Sequence, residues 1–169
     1  KAVVKMNRFL RFCNSFSIPV LTLCDTPGFE NCSCNEMHMT KEMGELLSAY
    51  GNASVPLVTL VKKAVGSAGA CLGSKGLGAD LVFAYPESEI SVMDAKLAAN
   101  ILYSDETLED REEKAKQFLE EKGSAKSAAY RGYIDAIILP EETRQRVISA
   151  FDMLYGKANF DFHKKYGSI

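Results

Sequence analysis

The chain has 169 residues, of which 47% are hydrophobic and 25% charged, with a net charge of -2. This length suits one well-packed domain and is short for two. The near-neutral charge excludes the strongly basic surface typical of nucleic-acid-binding proteins, and no run approaches the ~20 apolar residues of a membrane span. We therefore expect no nucleic-acid partner and no direct membrane span.

The cysteine pattern bears on the compartment. Five cysteines, an odd number at irregular spacing, together with the lack of a signal-like start, favour a reducing, cytoplasmic location over a disulfide framework. The chain begins at Lys1 rather than at a methionine. We therefore expect it to be a fragment of a longer protein.

The first third of the chain predicts a helix, a strand and a turn. Apolar residues recur at helical spacing between basic residues over 1–16, which predicts an amphipathic helix, and Pro19 ends that region. Residues 20–24 form a short apolar run that is typical of a buried strand. The turn Asp25-Thr26-Pro27-Gly28-Phe29 follows directly. Ligands commonly bind outside the carboxyl ends of parallel strands, so this turn is the first candidate site.

A polar loop with three soft ligands is predicted over 30–39. Cys32, Cys34 and His38 suggest zinc, but a structural zinc site closes with four ligands, and their spacing matches no such pattern. We therefore expect no metal. A second helix is predicted over 40–50, ending at Gly51.

A glycine-rich turn after a second buried strand is the main candidate site. The branched apolar run 55–61 predicts the strand, and a helix of small residues follows the turn. Glycines let the backbone approach a ligand closely, and the first turn of a helix has N–H groups without intrahelical partners. Such a turn can hold an oxyanion, although small residues also allow a helix to pack tightly on a sheet. The residues concerned are Gly66, Ser67, Ala68, Gly69 and Ala70.

The rest of the chain continues the alternation of strands and helices. The predicted strands cover 81–85, 90–93 and 132–138. The predicted helices are one capped by Asp94, a charged one over 106–122 and one over 141–154, before an aromatic tail. The pattern predicts a single α/β domain. Its core is expected to form from 20–23, 57–61, 81–83 and the apolar stripe of the first helix.

Common nucleotide and hydrolase motifs fail on inspection. Residues 73–78 do not form the dinucleotide-binding glycine pattern, and Ser74 stands where a P-loop requires glycine. Val65 occupies the first glycine position of a nucleophile elbow around Ser67. A serine hydrolase that uses His38 or His163 as base stays open, because triads form by fold geometry rather than by sequence spacing.

Four segments resemble a known family. They are similar to the C-terminal half of the carboxyltransferase subunit of biotin-dependent acyl-CoA carboxylases and decarboxylases, of the propionyl-CoA carboxylase beta and methylmalonyl-CoA decarboxylase alpha type. The segments are 9–29, 74–80, 90–93 and 131–135. The resemblance implies a ClpP/crotonase-like fold of ββα spiral units, with the whole of 1–169 forming the C-terminal domain of a two-half subunit.

The resemblance also implies a site and its partners. An N-terminal carboxyltransferase half binds the CoA thioester, the C-terminal half binds carboxybiotin carried on a biotin carboxyl carrier protein, and the active site forms between subunits of a homo-oligomer. The backbone N–H groups of Ser67 and Ala68 would hold the biotin oxyanion, and this chemistry requires no metal. The cofactor-binding residues carried over by position are Gly66, Gly69 and Ala70 in the turn, and Asp25, Pro27, Gly28 and Phe29 in the facing wall.

Two departures from the family pattern bear on activity. Residues 66–70 read Gly-Ser-Ala-Gly-Ala where the family usually has Gly-Gly-Ala-Tyr-Asp, and Asp94 stands where it usually has glycine. A carboxylate near an anionic reaction centre is unfavourable unless it caps a helix and points away. Two alternatives are therefore kept, namely a non-catalytic crotonase-fold assembly domain and a ClpP/crotonase-type hydrolase.

Overall fold

The structure, a computed structural model, describes residues 1–30 and 32–157, with only the backbone of residues 34 and 35. Helices and strands alternate along this part of the chain. The α-helices are α1 (Ala2–Ser15), α2 (Ser33–Gly51), α3 (Gly66–Cys71), α4 (Ala95–Leu102), α5 (Leu108–Phe118), α6 (Ala125–Tyr130) and α7 (Thr143–Leu154). The strands are β1 (Val20–Thr26), β2 (Leu57–Val65), β3 (Leu81–Ser91) and β4 (Ala136–Ile137). Short 3-10 turns cover Lys75–Leu77 and Pro140–Glu142, and a π turn covers Leu119–Gly123.

The strands that the structure describes form one parallel sheet in the order β1-β2-β3-β4. Val20 pairs with Leu57, and Val58 pairs with Leu81. Because every pairing is parallel, the carboxyl ends of the strands meet at one edge of the sheet. This arrangement agrees with the predicted α/β class and is the edge at which such folds commonly bind ligands.

Helices cover both faces of the sheet. On one face, α1 and α2 pack Leu10 and Leu46 against Val20 and Leu57. On the other face, α7 packs over β2 and β3, where Val58, Leu60 and Phe83 meet Ala150 and Ile138. The central strand β2 is therefore buried from both sides, as parallel sheets require. None of the helices that the structure describes is both long and apolar enough to cross a bilayer.

The predicted core is wrong at two positions of β1. Leu21 and Leu23 are 40% and 68% exposed, although Val20, Thr22 and Cys24 between them are buried. Leu21 and Leu23 lie on the sheet face that α7 covers at β2 and β3. Because β1 is the edge strand of the described sheet, its residues on that face lie beside α7 rather than beneath it.

Several element boundaries also differ from the sequence prediction. The predicted polar loop over 30–39 is largely helical, because α2 begins at Ser33. The charged helix ends at Phe118 and continues as the π turn. Strand β2 runs four residues beyond the predicted end at Val61, and β3 is one strand where the sequence predicted two. The predicted aromatic tail beyond 157, including His163, lies outside the described residues.

Candidate functional site

The pairing of β1 with β2 brings the two predicted loops side by side. Asp25 pairs with Lys63 and Thr26 pairs with Ala64. The chain leaves β1 after Thr26, and β2 ends one residue after Ala64, where α3 begins at Gly66. Residues 27–29 and 66–68 therefore start from neighbouring positions at the carboxyl edge of the sheet, as the sequence predicted.

Gly66 makes the turn from β2 into α3. Its φ of +65° lies in the left-handed region that favours glycine, and a Cβ atom there would lie 3.5 Å from the carbonyl oxygen of Val92. Ser67 and Ala68 occupy the first turn of α3, where N–H groups lack intrahelical acceptors. The side chain of Ser67 is exposed and that of Ala68 is buried. The turn therefore has an exposed residue at Ser67 and a buried one at Ala68, with little side-chain bulk around either N–H group.

Gly69 has a packing role. A Cβ atom on this residue would lie 2.6 Å from the carbonyl carbon of Ala64, so no side chain fits there without a backbone shift. Gly69 is buried on the side of α3 that faces β2, whereas Ala70 is exposed. The alternative that small residues let this helix pack tightly on the sheet therefore holds at Gly69, alongside an accessible first turn.

The facing wall is a turn closed by its own side chain. The Thr26 hydroxyl accepts a hydrogen bond from the Gly28 amide at 3.3 Å and lies 3.2 Å from the Gly28 carbonyl oxygen. Gly28 has a φ of +133°, again a conformation that favours glycine. Phe29 is half-buried and Pro27 is exposed. Asp25 and Thr26, which the sequence placed in the turn, are the last two residues of β1, so the turn itself begins at Pro27, beside the opening of α3.

Ion pairs flank this edge of the sheet. Lys62 lies 2.8 Å from Asp25, and the hydrogen bond to that carboxylate raises the pKa of Lys62. Lys63 lies 2.9 Å from Glu89, and this hydrogen bond, with smaller contributions from the charges of Asp94 and Asp25, raises the pKa of Lys63. Both lysines therefore stay charged at neutral pH, and their positive charges offset the negative charges of the carboxylates around them.

Asp94 caps α4, which is the role in which a carboxylate near an anionic reaction centre was expected to be tolerated. Its Oδ1 atom accepts hydrogen bonds from the amides of Lys96 and Leu97, at 3.0 and 3.2 Å. The side chain is exposed. The carboxylate is therefore engaged by the helix N-terminus, which stabilises its negative charge.

A cavity of about 900 Å³ opens between α1 and α2 beside the facing wall. Gly28 and Phe29 belong to its lining, which also includes three basic residues, Lys1, Lys5 and Arg8, and two acidic ones, Glu30 and Glu42. The side of the wall turn that meets this cavity is accessible to a bulky ligand. The three basic residues outnumber the two acidic ones, so the lining has only a small excess of positive charge.

The described residues contain no group of three or more histidine, cysteine and acidic side chains arranged to hold a metal ion. Cys32 is half-buried and His38 is exposed at the start of α2, where it lines the cavity. The side chain of Cys34 is not among those described, and the expectation for Cys32, Cys34 and His38 as a set stays a prediction from the sequence.

Sequence analysis missed the residues that support the turn. The apolar run ends at Val61, which hid the continuation of β2 through Lys62 and Lys63. Lys62 is the irregular residue of the pairing with β1, because Cys24 pairs with Val61 and Asp25 with Lys63. The available signal was the pair of adjacent lysines, which only Ala64 and Val65 separate from the turn at Gly66.

Comparison with known proteins agrees with the geometry. The family model described as the carboxyl transferase domain matches residues 1–169. A putative propionyl-CoA carboxylase beta chain of Bacillus subtilis (strain 168) is 43% identical over 176 residues, covering 99% of this chain and 35% of that protein. The methylmalonyl-CoA decarboxylase subunit alpha of Veillonella parvula is 39% identical, covering 98% of this chain and 32% of that protein. The chain therefore spans about a third of the length of these relatives.

Solved structures share the fold. The transcarboxylase 12S crystal structure, described as a hexamer assembly with hydrolysed methylmalonyl-coenzyme A bound, matches with a TM-score of 0.92 and 35% identity, over 99% of this chain and 34% of that one. The beta subunit of geranyl-CoA carboxylase from P. aeruginosa, at 23% identity and a TM-score of 0.81, supports the fold alone. The predicted crotonase-like α/β class and the family resemblance are both confirmed: matched over its full length, the chain belongs to the carboxyl transferase domain family.

Proposed function

We propose that this chain provides the biotin side of an acyl-CoA carboxyltransferase site. The pairing of Thr26 with Ala64 carries the proposal, because it sets the Asp25–Phe29 wall beside the first turn of α3. The family of the chain supports acyl-CoA carboxyl transfer as the reaction.

The proposed chemistry uses backbone donors. Carboxybiotin, when bound, supplies the carboxyl group and leaves negative charge on its ureido oxygen. The N–H groups of Ser67 and Ala68 donate hydrogen bonds to that oxygen, and the N-terminal partial charge of α3 adds to the stabilisation. Gly66 and Ala70 leave room around the donors. Gly28 and Phe29 border the cavity that would admit the ring.

The proposed partners follow from the length of the relatives. An N-terminal half would bind the CoA thioester, a biotin carboxyl carrier protein would deliver carboxybiotin, and subunits would assemble so that the two half-sites meet. The hexamer assembly of transcarboxylase 12S supports assembly as the working state. The described cysteines Cys13, Cys24, Cys32 and Cys71 are all free thiols, which fits the cytoplasm.

The test compares two substitutions in the complete carboxyltransferase that contains this chain. Ala68→Pro removes one backbone donor, whereas Ser67→Ala removes only a side-chain hydroxyl. Since the loss of one oxyanion donor costs ~10²-fold or more in rate, we expect at least that loss of carboxyl transfer for Ala68→Pro and less than about tenfold for Ser67→Ala.

Both variants must first match the wild type in melting and assembly. Ala68 is the third residue of α3 and is buried, so this comparison is needed before any loss of rate is assigned to the missing donor. If Ser67→Ala is as damaging as Ala68→Pro, a nucleophilic hydroxyl and hence a hydrolase is the better account. If neither change affects transfer, the N–H groups of Ser67 and Ala68 do not hold the oxyanion; if the wild-type protein assembles but shows no affinity for biotin, the chain is an assembly domain.

A further inference from the structure

Strands β2 and β3 pair in two separate stretches. The lower ladder joins Val58–Val61 to Leu81–Ala84, and the upper ladder joins Lys63–Val65 to Glu89–Ser91. Between the ladders β2 contributes only Lys62, whereas β3 contributes residues 85–88. The backbone pairing is therefore interrupted just before the candidate site.

Ser88 bridges this interruption. Its side chain is one of the few buried polar groups among the described residues, and the residue is only 4% exposed. The Ser88 hydroxyl donates a hydrogen bond to the carbonyl oxygen of Val61 at 2.7 Å and accepts one from the amide of Tyr85 at 2.8 Å. Val61 is the last β2 residue of the lower ladder, and Tyr85 directly follows its last β3 residue. One hydroxyl thus replaces the backbone bonds that the interruption removes.

The upper ladder carries the candidate site. Val65 pairs with Ser91 immediately before the turn at Gly66, where an added Cβ atom would lie 3.5 Å from the carbonyl oxygen of Val92. Three residue pairs and the ion pair between Lys63 and Glu89 hold β3 in this ladder. The directions of the N–H groups that follow Gly66 therefore depend on how the upper ladder is set relative to the lower one.

We propose that Ser88 is a positioning residue for carboxyl transfer. Its hydrogen bonds to Val61 and Tyr85 hold the upper ladder in one orientation relative to the lower ladder. That orientation sets the direction of the N–H groups of Ser67 and Ala68. Its effect on rate rests on the proposed function, because it acts through the oxyanion donors and touches no reacting atom. Its effect on the direction and protection of those amides is independent of any reaction.

The kinetic test uses the complete enzyme with Ser88→Ala and Ser88→Cys. The alanine removes both hydrogen bonds, and the cysteine keeps a weaker donor at a longer reach. Tyr50→Phe is the matched control, because it removes another buried hydroxyl, bonded to Thr22 at 3.1 Å. Misplacement of catalytic groups by a fraction of an ångström lowers rates steeply, so we expect kcat to fall about tenfold or more in Ser88→Ala with KM within twofold. Ser88→Cys should be intermediate, and Tyr50→Phe should keep the wild-type kcat.

Hydrogen–deuterium exchange on the same assembled proteins gives a readout that does not require activity. Peptides covering 63–70 should exchange at least tenfold faster in Ser88→Ala than in wild type, whereas peptides covering 57–60 should change much less. Tyr50→Phe should leave the exchange of 63–70 unchanged. A uniform increase across both ladders would show general destabilisation and overturn the proposal.

The possible outcomes separate the two proposals. An unchanged kcat in Ser88→Ala, or a loss no larger than that of Tyr50→Phe, overturns the positioning role. If Ser88→Ala does not assemble, the test rests on Ser88→Cys. In that case, a kcat and an exchange rate equal to those of wild type in Ser88→Cys would overturn the positioning role. If the wild-type enzyme transfers no carboxyl group, the proposed function fails, while the exchange of 63–70 still decides whether Ser88 fixes the upper ladder.

Discussion

Gly69 of α3 lies directly against Ala64 of β2, so that a Cβ atom on Gly69 would lie 2.6 Å from the carbonyl carbon and 2.8 Å from the Cα atom of Ala64. Those neighbours are backbone atoms of a strand paired on both sides, and they cannot move aside cheaply. The departure from the family pattern at this position thus has a structural reason in this chain. Glycine lets α3 approach the sheet more closely than any residue with a side chain.

Gly69→Ala should therefore destabilise the protein. Overpacking of this kind costs about 1–3 kcal/mol in the free energy of unfolding, which urea melts measure. Gly44→Ala is the control, because Gly44 lies within α2 with no atom within 4 Å of its added Cβ. That change should stabilise by about 0.5–1 kcal/mol. Equal effects at both positions would contradict the close packing of α3.

Val58 and Leu23 should differ strongly on truncation. Val58 is 0% exposed between α7 and the opposite layer, so Val58→Ala leaves a cavity and should cost about 2 kcal/mol. Leu23 is largely exposed on the same face, and Leu23→Ala in this chain should cost less than about 1 kcal/mol. Urea melts of the two variants decide this. A larger loss in the free energy of unfolding for Leu23→Ala would indicate that a further element covers β1.

The contrast at Leu21 and Leu23 shows what periodicity can predict. A run of apolar residues identified β1 and its place in a parallel sheet, but the run does not say whether a helix lies over each strand. That depends on where α7 packs, which is a long-range outcome. The sequence therefore predicted strand β1 correctly, but it did not predict the exposure of Leu21 and Leu23.

The candidate site likewise combines features that the sequence predicts with one that it does not. The glycines and prolines that marked the two turns are local signals, and the register of β1 with β2 placed these turns together as expected for parallel strands. The bridge from Ser88 to Val61 joins residues 27 apart across an interruption that no local pattern announces. A serine between two glutamates, as here, would otherwise indicate a solvent-exposed turn.

Cys24 should make stability depend on alkaline pH. Burial, with a smaller effect from the charge of Asp25, raises the pKa of the Cys24 thiol from 9.0 to about 11. The folded protein then holds this proton more tightly than the unfolded chain, so the stabilisation is full below about pH 9 and is lost as pH rises towards 11. Urea melts across this window should show the free energy of unfolding falling more steeply for wild type than for Cys24→Ala. Parallel curves would contradict the raised pKa.

The isolated chain should self-associate through exposed apolar surfaces. Phe9, Phe12 and Phe16 recur on one side of α1 and are exposed, and the rings of Phe12 and Phe16 lie 4.7 Å apart. On α4, Ile101 and Leu102 are exposed as well. Contiguous apolar patches of this kind mark interaction sites.

Sedimentation velocity at tens of micromolar checks this expectation. Phe12→Glu should shift the distribution towards monomer, whereas Lys116→Glu on the charged helix α5 should not. A wild-type chain that stays strictly monomeric would count against association through these faces.

The cap and the charge of Asp94 can be separated by two substitutions. Asp94→Asn keeps an oxygen that accepts from the amides of Lys96 and Leu97 and removes the negative charge, whereas Asp94→Ala removes both. Loss of an N-cap costs about 1 kcal/mol, so only Asp94→Ala should lower the free energy of unfolding by that amount. Thr107→Ala, which removes the cap of α5, provides a control for the effect of helix capping alone.

The charge of Asp94 contributes to the raised pKa of Lys63, so it acts at the edge of the sheet where an anionic substrate would bind. Exposed charges interact by roughly 0.2–1 kcal/mol, and both Asp94 variants should therefore lower KM for carboxybiotin by up to about fivefold in the complete enzyme. The gain should shrink as salt is added, because ions screen charges at this range. Thr107→Ala should leave KM unchanged. If KM in Asp94→Asn equals that of wild type at low salt, the capped carboxylate is electrostatically silent at the site, and the substitution of aspartate for glycine there carries no penalty for the reaction.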